Sequence, residues 1–77
     1  MNDLIKNIDK IHSTDLGVER ISKNLNIKED VISYCKKVIL DNNSKIYKKG
    51  KNWYCENGKV RITINSYSYT IITAHII

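Results

Sequence analysis

The stretch Asn57-Gly58-Lys59-Val60-Arg61-Ile62-Thr63-Ile64-Asn65 decides how this chain folds. Val60, Ile62 and Ile64 alternate with Arg61, Thr63 and Asn65, the two-residue period of a strand with one apolar and one polar face. Asn57-Gly58 ahead of it is a hairpin signal suited to a type I′ turn, so a strand must come before it. Residues 52–56, with Trp53 and Tyr54, supply that strand. Further back, Gly50-Lys51 turns into a short first strand over residues 45–49. On the other side, Ser66-Tyr67-Ser68 turns into a last strand over residues 69–77. Its alternation predicts Thr70, Ile72, Ala74 and Ile76 on one face and Ile71, Thr73 and His75 on the other. Four strands joined by tight turns make an antiparallel meander.

Upstream the apolar period changes to that of a helix. Leu4, Ile5, Ile8 and Ile11 predict a first amphipathic helix over residues 3–11. Ser13-Thr14-Asp15 offers N-cap groups for a second over residues 15–25, carrying Leu16, Val18, Ile21 and Leu25. Glu29 and Asp30 open a third, with Lys36 and Lys37 toward its C-terminus, the order the helix dipole favours. Its apolar stripe is Val31, Ile32, Cys35, Val38 and Ile39. Asp41-Asn42-Asn43-Ser44 connects helices to strands. The expected fold is α+β: three N-terminal helices packed on one face of a four-stranded antiparallel meander sheet. Residues 1–77 form a single domain, with a helical half at 1–44 and a sheet half at 45–77.

At 77 residues such a chain buries only roughly 60% of the surface its unfolded form exposes. A deep cofactor pocket is therefore not expected, and no cofactor is assigned. A shallow groove or a sheet face is the kind of site it can support. No apolar run reaches the roughly 18 residues of a membrane span, and the acidic start without an apolar run predicts no secretory signal. The expected setting is the cytoplasm, away from membranes, with Cys35 and Cys55 as reduced thiols. Their spacing fits no metal site.

The net charge is +5, and its distribution is uneven. Residues 1–44 carry seven basic and seven acidic side chains, which cancel. Residues 45–61 carry Lys45, Lys48, Lys49, Lys51, Lys59 and Arg61 against Glu56 alone, which accounts for the whole excess. A chain rich in Asn, Ile and Lys suggests an A/T-rich coding bias, but such a bias does not strip acids from one segment. The patch points to an anionic partner. The competing explanation is a set of lysines protecting a strand edge.

If the apolar faces of the last two strands meet the helices, Arg61, Thr63, Asn65, Thr73 and His75 share the other face. Lys48, Lys51 and Trp53 are placed to join them from the neighbouring hairpin. His12 closes the first helix, in a connection where functional residues concentrate. Two histidines near a basic patch match what metal-free RNA cleavage requires. One imidazole removes the ribose 2′-OH proton, the other returns a proton to the leaving 5′-oxygen, and a Lys or Arg stabilises the crowded phosphate. The candidate catalytic residues on this chemistry are accordingly His12 and His75. The candidate nucleic-acid contacts are Lys48, Lys49, Lys51, Trp53, Lys59, Arg61 and Asn65. No metal ligands are assigned. The sequence has no Gly-rich phosphate loop, no paired CxxC, no HExxH and no Gly-x-Ser-x-Gly.

Three stretches carry a family resemblance: His12-Ser13-Thr14-Asp15-Leu16-Gly17-Val18-Glu19-Arg20-Ile21, Gly50-Lys51-Asn52-Trp53-Tyr54, and residues 65–75, which read NSYSYTIITAH. Together they resemble a family of small bacterial proteins of unknown function, a likeness that implies no activity. More distantly, the helical half, the Trp53-Tyr54 strand and the last strand with Thr73 and His75 resemble the barnase/RelE-like ribonuclease superfamily. That resemblance implies metal-independent cleavage of RNA with His12, Thr73 and His75 at the reaction centre. It implies phosphate contacts from Lys48, Lys51 and Arg61. The expectation is an RNA-directed protein, a ribonuclease or a degenerate RNA-binding relative. Two alternatives compete. One is a winged-helix-like DNA binder, although Glu29 and Asp30 stand where base contacts would come. The other is a protein-interaction or inhibitor module using the sheet edge or the aromatic hairpin, with no catalysis.

Overall fold

The protein was analysed as a computed structural model that describes residues 3–77. The element order is α1 (Asp3–Lys6), a 3-10 turn (Ile8–Lys10), α2 (Asp15–Leu25), α3 (Val31–Leu40), then β1 (Lys45–Lys49), β2 (Asn52–Asn57), β3 (Val60–Asn65) and β4 (Ile71–Ile76). The four strands are antiparallel neighbours in the order β1-β2-β3-β4. The fold is α+β, with three helices and a four-stranded antiparallel sheet.

The helix starts follow their caps. Thr14 Oγ1 accepts from the Gly17 amide at 3.0 Å, and the Asp30 carboxylate accepts from Ser33 at 2.9 Å. Asp30 therefore caps α3 rather than lying inside its first turn. Asn26 ends α2 in the left-handed region, φ 53°. The single helix predicted over residues 3–11 is broken: Asn7 leaves helical geometry between α1 and the 3-10 turn. Its side chain donates instead to the Asp3 carbonyl (2.8 Å) and the Tyr69 hydroxyl (3.1 Å). Leu16, counted into the second helix's apolar stripe, is exposed.

One core joins the halves. Leu4, Ile21, Cys35 and Ile39 from the helices and Cys55, Ile62, Ile64 and Ala74 from the sheet are fully buried together. Helix α2 lies chiefly along β4, and α3 lies against β2.

Two details of the sheet differ from the sequence reading. First, the β2–β3 turn is Gly58-Lys59, because Asn57 pairs with Val60. Gly58 has φ +59° while Lys59 does not have a positive φ, the type II′ pattern. Asn57 is thus a strand residue, and Glu56 stands opposite Arg61 rather than Lys59. Second, β4 contains a bulge. Thr63 pairs with Thr73 but Ile64 pairs with Ile71, leaving Ile72 as an extra residue. An extra residue inverts the two-residue period on one side of it. Ile71 consequently turns into the core, 2% exposed, and Ile72 is 50% exposed, the reverse of the simple alternation.

Candidate functional site

Directly opposed residues of an antiparallel sheet share a face, so the registers define rows. Across the core face run Ile46–Cys55–Ile62–Ala74 and Lys48–Trp53–Ile64–Ile71. Across the polar face run Lys45–Glu56–Arg61–His75, then Tyr47–Tyr54–Thr63–Thr73, then Lys49–Asn52–Asn65. Trp53 thus belongs with the core, against which it packs. Lys48 shares that side.

The first polar row holds a linked set. Glu56 Oε2 accepts from the Tyr47 hydroxyl at 2.6 Å and from Arg61 Nε at 3.1 Å. The Tyr47 bond, the largest cause, holds the Glu56 carboxyl below the usual carboxylate range; desolvation opposes it, and the Arg61 charge and bond add to the lowering. The same bond raises the Tyr47 phenol above its ordinary value. Tyr47 stacks on Tyr54 with ring centroids 5.4 Å apart and planes 18° apart, and the Lys45 ammonium lies 5.8 Å from the Tyr47 ring. Arg61 uses only Nε on Glu56; neither Nη group has a partner among the described residues. On its other flank His75 stands opposite it on β4.

The remaining sequence candidates are scattered. Lys51 and Lys59 lie in the β1–β2 and β2–β3 turns, at opposite ends of the strands. The Asn65 side chain shapes the β3–β4 turn, its Oδ1 accepting from the Tyr67 and Ser68 amides at 2.9 and 3.0 Å. Thr73 lies between Thr63 and the edge of the polar face, and Thr63 is buried at 8% exposure.

His12 is placed elsewhere. It forms a parallel bridge with Thr70, just before β4. Its Nδ1 lies 2.8 Å from the Lys10 carbonyl, and its Nε2 lies 3.0 Å from Thr70 Oγ1. A carbonyl can only accept, so Nδ1 carries the proton and Nε2 takes the Thr70 hydroxyl. Thr70 in turn meets Ser68 Oγ at 2.8 Å. Thr70 precedes β4 and His75 lies near that strand's far end. The two imidazoles are not brought together. Thr73 and His75 are.

Sequence reasoning counted Lys45 and Glu56 only as charges of the segment and passed over Tyr47. Alternation through the hairpin carried the signal: residues 45, 47, 54, 56 and 61 share one parity face once the turn is read as a two-residue loop. On α3, Lys37 Nζ is paired with Glu29 at 3.2 Å, so one of the two lysines a winged-helix reading relies on is tied to an acid. Among the described residues, no three His, Cys, Asp or Glu gather to hold a metal ion, and no helix is long and apolar enough to cross a membrane.

Fold and polar row together define a small α+β protein with a helical half, a meander sheet, and a carboxylate, a guanidinium and an imidazole aligned across three strands. The chain belongs to the family described as "Protein of unknown function (DUF3781)", whose pattern matches residues 5–75. No curated protein and no solved structure matches it.

Proposed function

We propose that the protein acts on RNA through the polar face of its sheet, with the helices on the opposite face and a metal-independent ribonuclease-like reaction in the first polar row. The observation that carries this reading is the row Glu56–Arg61–His75 on three adjacent strands. Neighbouring strands lie about 4.8 Å apart, so the carboxylate and the imidazole flank the guanidinium at about 10 Å from each other, one on each side of a bound phosphodiester. Arg61 has free Nη groups to receive that phosphate in a bidentate fashion, with Lys45 adding charge. The stacked Tyr47 and Tyr54 offer aromatic faces of the kind on which unpaired bases stack.

In this reading Glu56, ionised at neutral pH, removes the ribose 2′-OH proton. The 2′-oxygen attacks phosphorus, and His75 in its protonated form donates to the departing 5′-oxygen, leaving a cyclic phosphate. Arg61 stabilises the charge that accumulates on the phosphate. The pair is therefore a carboxylate and a histidine in place of two histidines. His12 is assigned no part in the reaction and serves to tie the loop before α2 to β4. Kinship with barnase/RelE-like ribonucleases, bacterial origin and cytoplasmic action accord with this reading and belong to the proposal.

The test is incubation of labelled single-stranded RNA with the purified protein in EDTA. Products ending in cyclic phosphate are expected, with the rate reduced about 10²–10⁴-fold in Glu56→Gln and in His75→Ala and little changed in His12→Ala. Binding without cleavage, weakened by Arg61→Ala, would reduce the proposal to an RNA-binding module. Absence of any affinity at low salt would overturn it.

A further inference from the structure

The two edges of the sheet are treated differently by the chain. In a hairpin closed by a two-residue turn, alternate pairs exchange backbone hydrogen bonds, starting with the pair next to the turn. On β4 this leaves the groups that point away from β3 to find other partners, and several do. The Ile71 amide donates to the His12 carbonyl at 2.8 Å, Ser13 Oγ donates to the Ile71 carbonyl at 3.2 Å, and Asn24 Nδ2 donates to the Ala74 carbonyl at 3.3 Å. On β1 the pairs Lys49↔Asn52, Tyr47↔Tyr54 and Lys45↔Glu56 use the inward groups. The N–H and C=O of Ile46 and Lys48 point outward, and among the described residues nothing bonds to them.

The side chains on this bare edge restrict what can pair with it. Lys45 and Lys49 stand on the polar face and Lys48 on the other, all three exposed, with no acid in the strand. A second copy of β1 would set lysine against lysine, and like charges directly opposite are destabilising. The same lysines complement an acidic strand on both of its faces.

We propose that β1 is a docking edge for an acidic, extended segment of another protein, which adds to the sheet as a fifth strand. Run antiparallel, the segment places acids opposite Lys49, Lys48 and Lys45, with a β-branched residue against the Tyr47 ring. Two of its residues, those opposite Ile46 and Lys48, exchange backbone bonds with the edge. The site adjoins the RNA face proposed above and shares Lys45 and Lys49 with it, but it is carried by the outward backbone of Ile46 and Lys48, independent of Arg61 and His75.

The experiment is an amide NMR titration of the full chain with the peptide Glu-Glu-Val-Val-Glu, blocked at both ends. On saturation, the Ile46 and Lys48 amides should shift and exchange with solvent about tenfold more slowly, the equivalent of one hydrogen bond. A peptide N-methylated at the second and fourth residues should bind at least about tenfold more weakly. Lys48→Pro, which removes one outward N–H on an edge where proline is tolerated, should weaken binding more than Lys48→Ala. Equal binding of the methylated peptide would mean adsorption to charge alone and would overturn the proposal, as would shifts centred on Lys36 and Lys37 or no binding at low salt. Arg61→Ala and His75→Ala should leave the titration unchanged, so loss of RNA activity with peptide binding retained separates the two proposals.

Discussion

Glu56 is held by Tyr47 and Arg61 on one oxygen, and the effect on its carboxyl has a definite sign. Its folded pKa is lowered from an ordinary 4.5. The stability it contributes is therefore present above that value and is lost as pH falls through the folded pKa. Glu56→Gln should be less stable than the parent at pH 7, and the gap should close in acid, as urea unfolding across pH would show. Asp30, lowered by its bonds to Ser33, adds to the same acid lability. If Glu56 is the general base, the acid limb of the cleavage profile lies below the ordinary carboxylate range. Tyr47→Phe removes the largest cause of the lowering, so it should move that limb upward. The thiols behave oppositely. Burial, and then the neighbouring Cys55, push Cys35 up to about 12 from an ordinary 9.0. Its contribution holds below pH 9 and is lost as pH rises toward 12. Neither Cys35 nor Cys55, both fully buried, should react with a thiol reagent at neutral pH until the protein is unfolded.

Among the elements, the bulge in β4 makes the sharpest test. Ile71→Ala should cost about 2–5 kcal/mol, whereas Ile72→Ala, one residue along and half exposed, should stay within about 0.5 kcal/mol. Simple alternation predicts the reverse order, so denaturant midpoints of the two variants decide it. Gly58→Ala should cost about 1–2 kcal/mol, because φ +59° is strained for any side chain even though the space around it is open. The second and third helices, the Thr14 cap and the strand order were readable from the sequence, since each is written in neighbouring residues. What escaped was set by pairing. Asn57-Gly58 allows two registers that keep the same faces, and only the partner strand chooses between Lys59 and Arg61 for Glu56. The bulge likewise has no local signal in Thr70-Ile71-Ile72-Thr73, where every residue suits a strand. His75 and Arg61 were legible as polar-face residues. Glu56 was not, because its importance comes from its cross-strand neighbours. Asn7, which broke the first helix, is held by Tyr69, a residue 62 positions away.

At the scale of the whole molecule, the basic segment is one run in sequence and four places in space. Lys45, Lys49 and Arg61 lie on the polar face, Lys48 on the other, and Lys51 and Lys59 at opposite ends. Single-stranded binding loses about 0.7 of a logarithmic unit per contacted phosphate for each decade of salt. Three cations on the polar face therefore give a slope of about −2, and all six in one patch would give about −4. Fluorescence anisotropy across a salt series measures it. The placement of α2 along β4 has a different kind of consequence, one of timing. Asn24 reaches Ala74 across 50 positions, and Ser13 reaches Ile71 across 58. The helices are made first, yet the strand α2 packs against is the last element of the fold. On the ribosome α2 would emerge with its apolar stripe uncovered and wait for β4, while α3 can settle on β2 before the last strand is made.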